Sequence, residues 1–151
     1  MLSARAERLL PYPADALFDL AADLEQYPSY VPGWISARVY EREAGVCYAE
    51  QLVGFGPVRV SFRSKAVMHR PERIEVRSDD TSFRRFQLLW HFEAAQPMQG
   101  CRVSLSVELE LRSRLLQGWV ERLGPAAAVN VLSAFEQRAR QLFGSPALVS
   151  S

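Results

Sequence analysis

From Trp34 to Leu111 apolar side chains recur mostly at every second position, while residues 14–24 before that stretch and 113–143 after it repeat at helical spacing. The chain opens with Leu2 to Leu10, which mixes short apolar and charged residues and stops at Pro11-Tyr12-Pro13. That pattern predicts a first strand, at or near a sheet edge. After Pro13, residues Leu17, Phe18, Ala21 and Leu24 fall on one helical face, with Asp15 and Asp19 near the end where the helix dipole favours negative charge. The stretch Tyr27-Pro28-Ser29-Tyr30-Val31-Pro32-Gly33-Trp34 carries two prolines, a glycine and three aromatics, which predicts a compact, packed connection.

The alternating region then reads as a meander. Ile35, Ala37 and Val39 open a strand, Ala44-Gly45 turns it, Val46 to Val53 returns, and Gly54-Phe55-Gly56-Pro57 turns again. Val58, Val60, Phe62, Ser64, Ala66 and Met68 share one face of the next strand, opposite Arg59, Arg63, Lys65 and His69. A short strand carries Ile74 and Val76. Phe86, Leu88, Trp90 and Phe92 then alternate with Gln87, Leu89, His91 and Glu93, and Cys101, Val103, Leu105, Val107, Leu109 and Leu111 alternate with polar neighbours. Seven antiparallel strands with one apolar face follow from this count.

Helical spacing returns at Ser113 and runs to Phe143 through Leu116, Val120, Leu123, Ala127, Val131, Phe135, Ala139 and Leu142. Ser113 fits an N-cap and Gly144 a C-terminal stop. Gly124-Pro125 within the run predicts a kink or a break into two helices, with Pro125 in the first turn of the second. An apolar sheet face must be covered, and the C-terminal helix is the available cover. The expected class is α+β: a curved sheet of about seven strands wrapped around a long C-terminal helix, with two short helices after the first strand. Residues 1–144 form one domain, and 145–151 read as a frayed tail.

Composition narrows the function classes. A length of 151 residues suits one core that buries about two thirds of the unfolded surface. A net charge of +1 argues against a dedicated nucleic-acid binder on bulk charge. No apolar run is long enough to span a bilayer, and Arg5, Glu7 and Arg8 interrupt the first ten residues where a signal peptide needs an apolar core, so a cytoplasmic protein is expected. Cys47 and Cys101 lack metal-ligand spacing and read as free thiols.

Catalytic constellations are weakly supported. His69 and His91 fall on the polar parity of their strands, so a nucleophile with a histidine base is not assembled. Cys101 sits on the apolar parity as an inert buried thiol. Gly54-Phe55-Gly56-Pro57 is not followed by the helix that a phosphate-cradling loop requires. Glu50 shares parity with Tyr48 and Leu52. Were that face inward it would be the one carboxyl near a cavity; an opposite parity or a bulge leaves it in solvent. The interior itself is either a ligand space lined by Leu, Val, Phe and Trp or a fully packed core.

Charge is unevenly spread. Residues 59–85 hold eight basic side chains, among them Arg59, Arg63, Lys65 and Arg77, against four acids, whereas residues 1–34 hold two against five. The basic face suits an anionic membrane surface or a ribosome, or is an ordinary solvated sheet face.

The segments Leu17-Phe18-Asp19-Leu20 and Asp23 to Pro32, followed by Phe62-Arg63-Ser64, Phe83 seven residues before Trp90, Leu111 to Leu116, and Ala134 to Ala139, resemble the coenzyme Q-binding, polyketide cyclase/dehydrase-like family of the START-like superfamily. Departures are Gly33-Trp34 where that family commonly has Trp-Cys, Thr81-Ser82 where it has Gly-Pro, and Pro125 within the helix. The resemblance implies the helix-grip fold and a non-catalytic binder of a polyprenyl, ubiquinone-like quinone. Such a binder is a lipid chaperone for respiratory electron transport, peripheral to the inner membrane, with no cofactor or metal. A toxin-like inhibitor of ribosomal subunit association is the alternative it implies, and an aromatic polyketide cyclase is the third. Inward parity and helix face select Trp34, Phe62, Trp90, Phe92, Leu105, Val107, Leu116, Val120 and Leu123 as candidate ligand-lining residues.

Overall fold

A computed structural model describes residues 1–95, 100–124 and 126–144, apart from the Phe55 side chain. The expectations for Pro125 and for the tail after Gly144 lie outside the described residues.

Alternation makes the sheet. Strand β1 (Leu2–Leu10) is followed by α1 (Ala14–Ala22), a 3-10 turn at Leu24–Gln26 and the single-turn α2 (Tyr27–Tyr30). The meander then runs β2 (Trp34–Glu43), β3 (Val46–Phe55), β4 (Val58–His69), β5 (Arg73–Arg77), β6 (Phe83–Ala95) and β7 (Gly100–Leu111). All neighbours pair antiparallel in the order β1-β7-β6-β5-β4-β3-β2, so the first strand joins the sheet beside the last. Val58, Val60, Phe62, Ser64 and Ala66 of β4, and Phe86, Leu88, Trp90 and Phe92 of β6, face inward as alternation requires, and His69 and His91 face out. The Tyr27–Tyr30 connection is packed as expected, but as a helical turn with Tyr27 buried.

The C-terminal run is two helices, α3 (Arg114–Glu121) and α4 (Ala126–Phe143). Ser113 caps the first, its Oγ accepting from the Leu116 N–H at 3.2 Å. The run breaks through Gly124 at a φ of +55°, a left-handed conformation that glycine adopts without steric cost. Gly144, at a φ of +81°, ends α4 and donates its N–H to the Arg140 carbonyl. Helix α4 crosses β1 and β7, with α1 and α2 against its other flank, and lays Val131, Leu132, Phe135 and Ala139 into the core.

Two positions depart from their periodicity. Ile35, which alternates with Ala37 and Val39 in the sequence, is 44% exposed while those two are half-buried, because the β2–β3 register shifts between Trp34 and Ser36 and the bulge turns Ile35 out. Leu142, assigned to the apolar face of the last helix, is 52% exposed and lines an open cleft with Ala16, Asp19 and Leu20 of α1.

Candidate functional site

Between the sheet and the helices lies an apolar cavity of about 200 Å³. Its floor is Phe86 and Leu88 of β6 with Val107 and Leu109 of β7; its roof is Leu123, Ala127, Asn130 and Val131 at the α3–α4 junction. The mouth is formed by Pro32, Gly33 and Trp34 on one side and by Gly54 and Gly56 on the other. Among the described residues that line it, none titrates, and Asn130 and the Trp34 indole supply the only polar side-chain atoms.

Small residues make the space. Gly33 has a φ of +88°, and a Cβ there would stand 3.2 Å from the Gly54 carbonyl oxygen, so the two sides of the mouth approach closely only without a side chain at position 33. The Gly54 N–H donates to the Gly33 carbonyl at 2.7 Å and fixes that approach.

Trp34 is held in the wall by a buried polar relay. Its indole Nε1 donates to Gln51 Oε1 at 2.6 Å, and Gln51 Nε2 donates to Ser64 Oγ at 2.7 Å. Gln51 is 3% exposed and Ser64 4%, so losing one partner would leave the others unsatisfied at about 1–3 kcal/mol. On its other side Trp34 meets Tyr27 edge-on with ring centroids 5.7 Å apart. Burial pushes the Tyr27 hydroxyl well above its ordinary pKa, and it donates to the Ala21 carbonyl at 2.5 Å.

The nine candidate lining residues separate into three groups. Trp34, Val107 and Leu123 stand on the cavity wall. Phe62, Trp90, Phe92, Leu105 and Val120 are buried in the packed interior and are not among the residues that line the cavity: Phe62 packs on Phe83 and Phe86, and Trp90 lies between Phe92 and Phe135. Leu116 is half-buried on α3, also away from the wall. The parity of β3 resolves the Glu50 question. Cys47, Ala49, Gln51 and Val53 face in, and Glu50 faces out. Hydrogen bonding to Arg38, and the charges of Arg38 and Arg63, hold its carboxyl below the usual range. Gln51, the buried side chain that holds Trp34, is one that periodicity missed. It shares parity with Cys47, Ala49 and Val53, but the opposite parity carries Val46, Tyr48 and Leu52, so the sequence alone does not separate the two faces.

Burial raises the Cys101 thiol to about 11, far from thiolate chemistry at neutral pH. No three of His, Cys, Asp and Glu cluster at metal-binding distances among the described residues.

A second concavity, of about 610 Å³, lies on the outer sheet face and gathers Arg63, Lys65, Arg77, Arg84 and Arg85 beside Tyr40 and Tyr48. Three of these cations are already paired: Arg63 with Glu50, Arg77 with Glu75 and Arg85 with Glu108. Arg59, grouped with them by sequence, instead lies along the β3–β4 turn, where Nη1 donates to the Gly56 carbonyl at 3.3 Å.

An antiparallel sheet gripping a C-terminal helix, with an apolar cavity between them, defines the helix-grip fold. A family model described as polyketide cyclase / dehydrase and lipid transport matches residues 10–136, and the chain belongs to that family. The ribosome association toxin RatA of Pseudomonas aeruginosa is 32% identical over 136 residues, covering 90% of this chain and 94% of that one. The mitochondrial coenzyme Q-binding protein coq10 of Schizosaccharomyces pombe is 31% identical over 142 residues, covering 90% and 85%. Among solved structures, TTHA0849 from Thermus thermophilus superposes with a TM-score of 0.80 at 25% identity, over 93% of this chain and 98% of that one.

Proposed function

We propose that this protein carries an isoprenoid quinone, or a similar ring-bearing apolar lipid, in the cavity between sheet and helices, as a lipid chaperone of respiratory electron transport with no chemistry of its own. The observation that carries this reading is the cavity between sheet and helices whose described wall is apolar and free of titratable groups. General acid–base chemistry needs a proton-bearing side chain within reach of substrate, and this wall offers none among the described residues, which disfavours a cyclase. The similarity to the coenzyme Q-binding protein of Schizosaccharomyces supports a quinone as the ligand class.

Size constrains the fit. At about 200 Å³ the space is smaller than the ~300–1,000 Å³ that encloses a drug-sized ligand, so it takes a ring and the first part of a tail. Each buried CH₂ contributes at most about 0.8 kcal/mol, less the cost of ordering the tail. Titration of quinones with increasing tails, read by quenching of Trp34 emission, is expected to show affinity rising over the first one or two isoprenoid units and then levelling. Flat affinity from the bare ring onward, or quenching no greater than that of free tryptophan, would sink the reading.

A second reading, association with ribosomal RNA, is favoured by the outer groove with its five cations and two tyrosines, and by the similarity to the ribosome association toxin of Pseudomonas. On it, Arg63→Glu with Arg77→Glu abolishes low-salt co-sedimentation with ribosomal subunits. Wild-type protein that stays in the supernatant while the subunits pellet removes this reading.

A further inference from the structure

Exposed apolar side chains gather at the mouth of the cavity. Leu115 is 78% exposed, Ile35 44% and Trp119 38%. Ile35 and Trp119 both border the β3–β4 turn that forms one side of the mouth. A Cβ at Gly54 would stand 3.1 Å from Ile35 Cδ1, and one at Gly56 would stand 3.4 Å from Trp119 Cε3. Leu115 lies one helical turn before Trp119 on the same face of α3. Two cations frame this rim: the Arg122 guanidinium sits 4.4 Å above the Trp119 ring, and Arg59 runs along the turn to the Gly56 carbonyl. Neither has an acidic partner within ion-pair distance among the described residues, in contrast to three of the five cations of the outer groove.

An exposed rim of Leu, Ile and Trp is unfavourable in water and favourable at the boundary of headgroups and acyl chains, where the amphipathic indole is well accommodated. Unpaired guanidiniums beside it complement lipid phosphates. No helix among the described residues is long and apolar enough to cross a membrane, so attachment through helices is peripheral, by apolar contact plus charge.

We propose that this rim is a docking face for an anionic phospholipid bilayer. Trp119, Leu115 and Ile35 enter the headgroup boundary and Arg59 and Arg122 meet phosphates, so that a ligand passes between bilayer and cavity at the point of contact. The inference rests on the carrier reading for its purpose, but its test does not. In flotation with phosphatidylcholine vesicles containing phosphatidylglycerol, Trp119→Ser and Leu115→Ser are each expected to lower partitioning about tenfold. Arg59→Gln and Arg122→Gln each lower it roughly fivefold, and only when phosphatidylglycerol is present. Arg63→Gln with Arg77→Gln changes it little, and the vesicle-dependent blue shift of tryptophan emission disappears in Trp119→Phe.

Partitioning that survives Trp119→Ser and Leu115→Ser, or that is lost with the outer-groove pair, would overturn the assignment. So would a dimer at working concentration that buries Trp119. Short-tail quinone titration without vesicles separates the two readings. Leu115→Ser keeps wild-type quinone affinity while losing vesicles if both stand. Wild-type protein that floats with vesicles but does not bind quinone supports the docking face and ends the carrier reading.

Discussion

Replacing Trp90 with alanine is expected to destabilise the fold by about 3–5 kcal/mol, a large share of the ~5–15 kcal/mol that holds a domain folded. Trp90 is fully buried at the middle of β6, opposite Ile74 on one neighbouring strand and Leu105 on the other. Its ring lies parallel to Phe92 with centroids 6.1 Å apart and meets Phe135 of α4 at 4.8 Å. Truncation removes the contact that ties sheet to helix, and two-sided strand pairing keeps the backbone from closing the void. Urea unfolding followed by far-UV circular dichroism checks this. A loss under about 1 kcal/mol would mean that the interior around Trp90 is loosely filled, contrary to the packing described.

The cavity answers differently to a change of volume. Ala127 stands on its roof, and Ala127→Phe directs a ring into the space. Affinity for a short-tail quinone is expected to fall about 100-fold, equivalent to ~2.7 kcal/mol. Stability is expected to change much less than in Trp90→Ala, because the new ring fills a void where overpacking a filled core would cost about 1–3 kcal/mol. Ala127→Leu, smaller and unbranched at Cβ, is expected to fall between. Isothermal titration with parallel urea unfolding separates the two effects. Unchanged quinone affinity in a folded Ala127→Phe protein would place the ligand elsewhere.

Alternation was a reliable guide wherever a strand is paired on both sides without a bulge. β4 and β7 carry their apolar sets on the inner face as their sequences require, and Ser113 and Gly144 bound the helical run through local hydrogen bonding that reads directly from residue type. Ile35 was not legible in this way, because a one-residue bulge reverses parity and is set by pairing with β3, a non-local event. Gln51 was missed for a related reason. The two parities of β3 are similar in polarity, so only tertiary packing decides which is inside.

The candidate site shows the sharper limit. Selecting large apolar residues of inward parity yields Phe62, Trp90, Phe92, Leu105 and Val120, and residues of that size fill space rather than surround it. The cavity exists where side chains are small or missing, at Gly33, Gly54, Gly56 and Ala127, and those positions come together only when β3, the α2–β2 connection and α4 are assembled. Trp34, Val107 and Leu123, selected by the same parity and helix-face rule, stand on the wall because they border those gaps.

The central claim, that the cavity holds an isoprenoid quinone, is met most directly by mass spectrometry of an organic extract of the protein, purified without detergent from cells that make such quinones, beside the Ala127→Phe variant. The account predicts a quinone recovered in near-stoichiometric amount from the wild type and depleted many-fold in the variant. An extract free of quinone, or equal recovery from both proteins, would contradict it.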